Sequence, residues 1–441
     1  MPTTRAAPVR HVADAERRAR LARRHGLAPE QHVDSVESAA DGPPLDRGRA
    51  GGAEPEPVSD ADLGARFLLD APTTTTGRHP RAVVALHATE PASVHLSCLA
   101  RRPQVRVEDV DRALYRDRSL ITQMCMRRTL FVLERDLLPA VLGSIGVRMA
   151  DRAHTELLRA VRTWDAGLDA AAWIERAQEA VLGELERGEA LTTRQVRERV
   201  PGAAGQYAQG ASTSWASTVR LTPKVLALMQ LRGLIGRAAD DADWRASLPR
   251  WSPMTRLLGG PPEPVDPRVG YARLTRRWLA ANGPGTVEDL AWWLGATKAD
   301  VRRGLTDVDA VPVSLDGGAT GWLLPDDVDP VAAPAPWVAL LPVLDPSVMG
   351  WRDRAFFLAD PGPLFDSVGN AGTTAWADGR VVGVWVQDNA GRVHVAAREP
   401  VPAATRRALD AAAADLTDWL DGQRVFSVYP SGAMRAAASS L

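Results

Sequence analysis

Apolar positions from about residue 60 to 335 fall into three successive blocks that share one order: amphipathic helices, then a β-branched strand or hairpin. In the first block Leu63, Phe67 and Leu68 sit at helical spacing, and Ala82 to Leu86 predict a short apolar helix. Pro91 interrupts, because proline disfavours helical dihedrals in the residue before it. Pro91 then suits the first position of a helix running through Val94, Leu96 and Leu99. Val107 to Asp111 start another helix, and Thr129 to Leu133, β-branched and aromatic, predict a strand.

The order recurs. Residues 172 to 186 predict a helix, Leu191-Thr192-Thr193 cap a second, and a longer helical stretch from Ser217 to Leu231 is expected to kink or restart at Pro223. Gly233 to Arg237 start a strand, with a wing returning through Trp244 to Trp251. The third copy is the clearest: helices over 269–282, from Gly285-Thr286 to Trp293 and over Lys298 to Leu305, then a hairpin from Val311 to Leu324 turning at Asp316-Gly317-Gly318. After Pro336, strand-like runs at Val338–Val343, Ala355–Leu358, Thr373–Trp376, Val381–Val386 and Arg392–Ala396 predict a small β-barrel, followed by a helix from Ala403 to Leu420. The expected fold class is α+β: tandem winged-helix (helix-turn-helix) domains and a C-terminal β-barrel. The division is a disordered tail over 1–58, winged helices over 59–150, 151–260 and 261–335, and the barrel with its helix over 336–441. Within the tail, Arg17, Arg18, Arg20, Arg23 and Arg24 suit at most a transient helix, because its apolar residues never recur usefully.

Composition narrows the function classes. The 441 residues carry 53 basic and 54 acidic groups, a net charge of −1 that argues against a histone-like nonspecific binder. Only two basic residues, Lys224 and Lys298, are lysine; the remainder are arginine, whose planar fork suits phosphates and base edges. No apolar run reaches the ~20 residues of a membrane helix. Two cysteines, Cys98 and Cys125, exclude a disulfide scaffold, and a reduced cytoplasm is the expected compartment.

There is no phosphate-binding glycine loop, zinc-spaced histidine pair or nucleophile elbow. The candidate chemistry is Leu86-His87-Ala88-Thr89-Glu90-Pro91, where a helix must stop. Imidazole, hydroxyl and carboxylate at such a corner could hold a water, Glu90 accepting its proton while His87 and Thr89 orient it. The alternative is that Thr89 and Glu90 cap the next helix and His87 stabilises a helix terminus as a cation. Arg127 and Arg128 lead into the wing strand, where phosphate contact and a solvated strand start are both compatible. Arg352 and Arg354 flank Asp353 in a pattern that fits an ion-pair network or a phosphate clamp. Arg220 and Lys224 fall on the helical stretch of the second block and are candidates for backbone contact. Trp292 and Trp293 are expected in an interdomain core.

The run Ala85 to Ala100 and Met126-Arg127-Arg128-Thr129-Leu130-Phe131-Val132 resembles the winged-helix DNA glycosylases of azinomycin resistance and interstrand-crosslink repair, the AlkZ-like and YcaQ-like family. Leu340 to Pro346, Gly350 to Arg354 and Asp378 to Gly383 continue the resemblance, which covers residues 60 to 425. It implies tandem winged helices wrapped around duplex DNA and hydrolysis of the N-glycosidic bond of bulky alkylated or crosslinked purines, often N7 adducts, without a cofactor or metal. The family's catalytic motif is two glutamines, or a glutamine and an aspartate, flanking one residue. Those positions fall here on His87 and Thr89, which leaves Glu90 to supply negative charge. The expected protein is a monomeric, cytoplasmic, nucleoid-associated glycosylase. The competing expectation is a noncatalytic winged-helix regulator or damage sensor.

Overall fold

The computed structural model describes residues 7–28, 83–209, 217–239, 243–428 and 430–441. Its first segment corrects the expectation of a disordered tail. A two-residue strand, β1 (His11–Val12), pairs in parallel with a strand 300 residues later, and α1 (Asp14–Arg24) follows it. Acidic residues at the start of α1 and arginines at its end complement the helix dipole. The face it buries carries Arg17 and Arg20 beside Leu21. Arg20, 1% exposed, is neutralised by Glu16 and Asp327, and the Arg17 guanidinium lies 3.8 Å from the Phe356 ring centroid. The remainder of the expected tail, and Leu63, Phe67 and Leu68, lie outside the described residues.

The expected helix ending at Leu86 is instead an extended segment. Val83 to Leu86 are all buried, and β2 (Leu86–His87) pairs Leu86 with Val132 and His87 with Phe131. A run buried on every side has no polar stripe for a surface helix, and its length suits a strand. The first unit continues with α2 (Pro91–Leu99), α3 (Val107–Asp111), a π-helical turn over Arg112–Arg116, and the hairpin β3 (Leu120–Met124) and β4 (Leu130–Glu134). Its sheet order is β2-β4-β3.

After a short α4 (Leu138–Val141), the second unit comprises α5 (Val147–Trp164), α6 (Ala170–Arg187), β5 (Leu191–Thr192), α7 (Thr193–Arg199), β6 (Gln206–Gln209), β7 (Ser217–Arg220), α8 (Thr222–Leu231), β8 (Ile235–Ala238) and β9 (Arg250–Pro253). The helix expected from Ser217 thus begins only at Thr222, with Pro223 in its first turn, and Arg220 lies on a strand. A core from Met149 to Trp251 belongs to this unit. Its sheet order, β5-β9-β8, repeats that of the first. Next come α9 (Met254–Leu258), α10 (Pro267–Asn282), α11 (Val287–Leu294), α12 (Lys298–Asp307), and the hairpin β10 (Val311–Leu315) and β11 (Thr320–Leu323). Here Gly285 bridges to Trp322 in the place that β2 and β5 take in the other units. The N-terminal β1 covers the opposite edge, which would otherwise expose unpaired backbone groups.

The C-terminal region is not a barrel. Strands β12 (Val338–Leu341), β13 (Thr374–Ala377), β14 (Arg380–Gln387) and β15 (Val393–Ala397) form an open antiparallel sheet in that order. Ala355 to Leu358, expected as a strand, form turns in which Phe356 and Phe357 pack around Trp351. The remaining helices are α13 (Pro346–Met349), α14 (Ala403–Leu420) and α15 (Gly432–Ser439). One apolar core joins the N-terminal segment, the first and third units and this sheet. At its centre is a buried polar network. Arg101 donates to both carboxylate oxygens of fully buried Asp345 at 2.9 Å, and Ser97 and the Ser347 N–H donate to the same carboxylate at 2.8 Å. His25 joins Ser347 at 2.8 Å and Asn282 at 3.2 Å. Burial alone would raise the Asp345 pKa, but the Arg101 charge holds it below the ordinary carboxylate value.

Candidate active site

Pro91 keeps Glu90 extended, at φ −107° and ψ 112°, so the chain from Leu86 to Glu90 alternates like a strand. His87 and Thr89 therefore face one side and Ala88 and Glu90 the other. The first pair lines a cavity of about 640 Å³, walled also by Arg127, Arg128, Trp292, Leu344 and Arg354 and by the loop Val368-Gly369-Asn370. The two positions on which the family motif falls are thus brought together.

His87 is 5% exposed, with its ring 4.2 Å from that of Phe131. Among the described residues neither buried ring nitrogen has a hydrogen-bond partner, an arrangement that costs roughly 1–3 kcal/mol per group unless water or a ligand supplies one. Burial, reinforced by the Arg127 charge, lowers its pKa to about 3. At neutral pH it is a neutral imidazole with one donor and one acceptor, and not the helix-terminating cation of the alternative reading. Thr89 is exposed beside it.

Arg127 and Arg128 occupy the β3–β4 turn, both with left-handed φ (53° and 59°), a conformation that costs a non-glycine residue of order 1 kcal/mol. The Arg127 guanidinium lies 4.1 Å from the Trp292 ring centroid and that of Arg354 lies 5.1 Å away. Burial lowers both to about 10, Arg127 adding repulsion at Arg354, so both stay charged at neutral pH. Arg128 is exposed and bridges to Glu156 at 2.6 Å. Among the described residues, none that lines the cavity is an aspartate or glutamate. Trp292 is therefore a cavity wall, whereas Trp293 is core, as expected of it.

Glu90 is absent from this cavity. It is 4% exposed and accepts hydrogen bonds at 2.9 Å from the Ser427 hydroxyl and the Val428 N–H, in a separate small pocket beside Trp385. It also does not cap α2. The ion-pair network considered for Arg352 to Arg354 is replaced by a different arrangement. Buried Asp289, which closes the capping box of α11, accepts the backbone N–H groups of Arg352 and Asp353, and Arg354 points to the cavity while Arg352 is exposed. Arg220 and Lys224 line no part of the cavity; Arg220 is exposed and Lys224 half-buried at the start of α8. Sequence reasoning missed Leu344, Met349 and the Val368–Asn370 loop. The Asp-x-x-x-Asn spacing was the available signal for that loop, since Asp366 accepts the N–H groups of Val368 and Asn370.

Repeated helical units with small sheets, an open four-stranded sheet and an arginine-walled cavity where three parts of the chain meet define a mixed α+β protein. A family model described as "DNA glycosylase AlkZ-like" matches residues 81–419, and the chain belongs to that family. Among solved structures, Streptomyces sahachiroi DNA glycosylase AlkZ has the same fold, with a TM-score of 0.64 and 19% identity over 92% of this chain and 97% of that one. No curated protein sequence matches. Family membership supports a DNA glycosylase role, the hydrolysis of N-glycosyl bonds. Among the described residues, no helix is long and apolar enough to cross a membrane.

Proposed function

We propose that this protein is a monofunctional DNA glycosylase that releases bulky alkylated or crosslinked purines, of the N7-alkylguanine type, at the His87–Thr89 cavity. The three helical units are read as winged helices that hold duplex DNA. The observation that carries the reading is the neutral His87 imidazole, with both nitrogens buried and, among the described residues, unpartnered, in the wall of a wide cavity. Its acceptor nitrogen orients a water toward C1′ of the lesion, and the Thr89 hydroxyl supplies a second contact. Among the described residues the cavity wall has no carboxylic acid and a histidine too weakly basic to be protonated, so these residues offer no acid to a leaving base. An N7-alkylated purine already carries positive charge and leaves without that help. Arg127, Arg128 and Arg354 serve the phosphates flanking the lesion, whose negative charge offsets the repulsion between guanidiniums and an oxocarbenium-like sugar. Arg352, Arg220 and Lys224 are assigned to more distant backbone contact. Glu90, facing away, is assigned to anchoring residues 427–428 rather than to the water.

The absence of both carboxylate and glutamine favours one competing reading, a noncatalytic DNA-binding relative that senses damage. Release of N7-alkylguanine from a labelled duplex decides between them. Release by the wild type that is lost in His87→Ala, with DNA binding retained, supports the glycosylase. Tight binding without release of any adduct supports the sensor.

A further inference from the structure

Helix α5 carries a second basic feature, unrelated to the corner at His87. Arg148, Arg152, Arg159 and Arg162 follow one another at intervals of four, seven and three residues. At 100° per residue their Cα directions fall within an arc of about 80°, on the side opposite the buried Ala150, Ala153, Leu157 and Ala160. Arg152, Arg159 and Arg162 are exposed and Arg148 is half-buried. Among the described residues none of the four side chains has an ion-pair or hydrogen-bond partner. Some exposed arginines on other helices are neutralised, as in Arg187–Glu184, Arg268–Asp307 and Arg303–Asp300. Asp151 and Glu156 border the stripe on the same helix without pairing to it, and four unpaired guanidiniums on one face favour an anionic partner.

Two features identify that partner. The first is position. Glu156, within one turn of both Arg152 and Arg159, holds the cavity residue Arg128 at 2.6 Å. The stripe therefore lies on the helix that packs against the turn carrying the cavity residues Arg127 and Arg128. The second is spacing. Arg148 and Arg152 form one pair and Arg159 and Arg162 another, with about 10 Å of helix axis between Arg152 and Arg159 at 1.5 Å per residue. That gap is close to the width of a DNA major groove, about 12 Å. We infer that the arginine face of α5 is a phosphate track, one pair on each strand bordering a groove, that docks the duplex beside the cavity. The inference rests on the glycosylase-family reading only for the identity of the polyanion, and it does not depend on His87 chemistry.

The test is the salt dependence of binding, by the full chain, to an undamaged duplex, followed by fluorescence anisotropy between 50 and 200 mM KCl (about the range over which such binding changes most steeply). In Arg152→Gln/Arg159→Gln/Arg162→Gln the slope of log K against log salt is expected to fall in magnitude by about 2–3, at roughly 0.9 for each phosphate no longer neutralised. The corresponding triple lysine variant should keep the wild-type slope, and Arg187→Gln should change nothing. A glutamine triple variant that melts at the wild-type temperature and binds with the wild-type slope overturns the inference. Because undamaged DNA is the probe, a fall in slope supports the track even in a protein that releases no base. Base release with an unchanged slope leaves the glycosylase standing and removes the track.

Discussion

Asp345→Ala removes one carboxylate that four donors share. Its partner Arg101 has a side chain only 3% exposed and would be left as an uncompensated buried cation, with Ser97 and the Ser347 N–H also deprived of their acceptor. Breaking a buried pair from one side typically costs about 3–5 kcal/mol, a loss of roughly 10²- to 10³·⁵-fold in the folding equilibrium and a large share of the ~5–15 kcal/mol that stabilises a domain. Urea denaturation followed by tryptophan fluorescence reads this directly, since Trp351 stacks on His25 at 5.8 Å within the same network. The double variant Arg101→Met/Asp345→Leu removes both charges and should recover most of the loss, because the desolvation cost disappears with the pair. An Asp345→Ala variant less than about 1 kcal/mol weaker than wild type, or a double variant weaker than the single one, refutes the assignment of this pair as the junction of the fold.

His87→Ala should lower single-turnover release of an N7-alkylpurine by about 10²–10⁴-fold, whereas Glu90→Gln should change it by less than about threefold, because Glu90 faces away from the cavity; equal losses in the two would refute the assignment. Burial lowers the pKa of both His25 and His87 from 6.5 to about 3, with Arg101 and Arg127 respectively adding repulsion. The unfolded chain therefore binds protons first, so stability is full above about pH 6.5 and falls with pH toward 3, by about 2 kcal/mol per histidine at pH 5; denaturation midpoints at pH 7.5 and 5 check this, against His25→Asn. Arg127→Gly should relieve the left-handed backbone and raise stability by up to about 1 kcal/mol while weakening DNA binding, measured by melting and anisotropy in parallel. Deleting residues 1–28 strips β1 from β10 and α1 from the shared core, and is expected to lower the melting temperature by several degrees at least.

Helices with strong local end signals were legible from the sequence. Thr192 and Thr286 form capping boxes with Gln195 and Asp289, and α14 runs over Ala403–Leu420 as its pattern predicts. Three kinds of feature were not. The core-facing positions of α1 include Arg17 and Arg20, whose burial depends on Asp327 and Phe356, over 300 residues away, so no apolar stripe announced the helix. Four of the five strand runs expected after Pro336 form the C-terminal sheet, but whether a sheet closes depends on its edges, and α14 packs against both edge strands, β12 and β15. The corner expected after a helix grouped His87, Thr89 and Glu90 around one water. In the extended chain observed, an odd separation puts His87 and Glu90 on opposite faces and leaves Thr89 beside His87. The change from a helical to an extended period therefore separates Glu90 from the other two candidates.

The cavity draws His87 and Thr89 from the first unit, Trp292 from the third, and Arg354 and the Val368 loop from the C-terminal region. No single unit contains it, so its geometry is set by how those parts are joined. Beside the shared apolar core, the joints carry buried polar ties. Asp345 and Arg101 tie the C-terminal region to α2, which follows directly from the Thr89 corner. Asp289 ties α11, which carries Trp292, to the backbone just ahead of Arg354. Apolar packing tolerates sliding by a fraction of a side chain, but a bidentate pair or a carboxylate shared by two N–H groups has one geometry. Holding a water against C1′ requires errors well under 1 Å, because a misplacement of that size costs a large part of the rate. Buried charge at these joints is thus the physical counterpart of a site assembled from distant parts of the chain, and changes at Asp289 should disturb catalysis without touching any residue that lines the cavity.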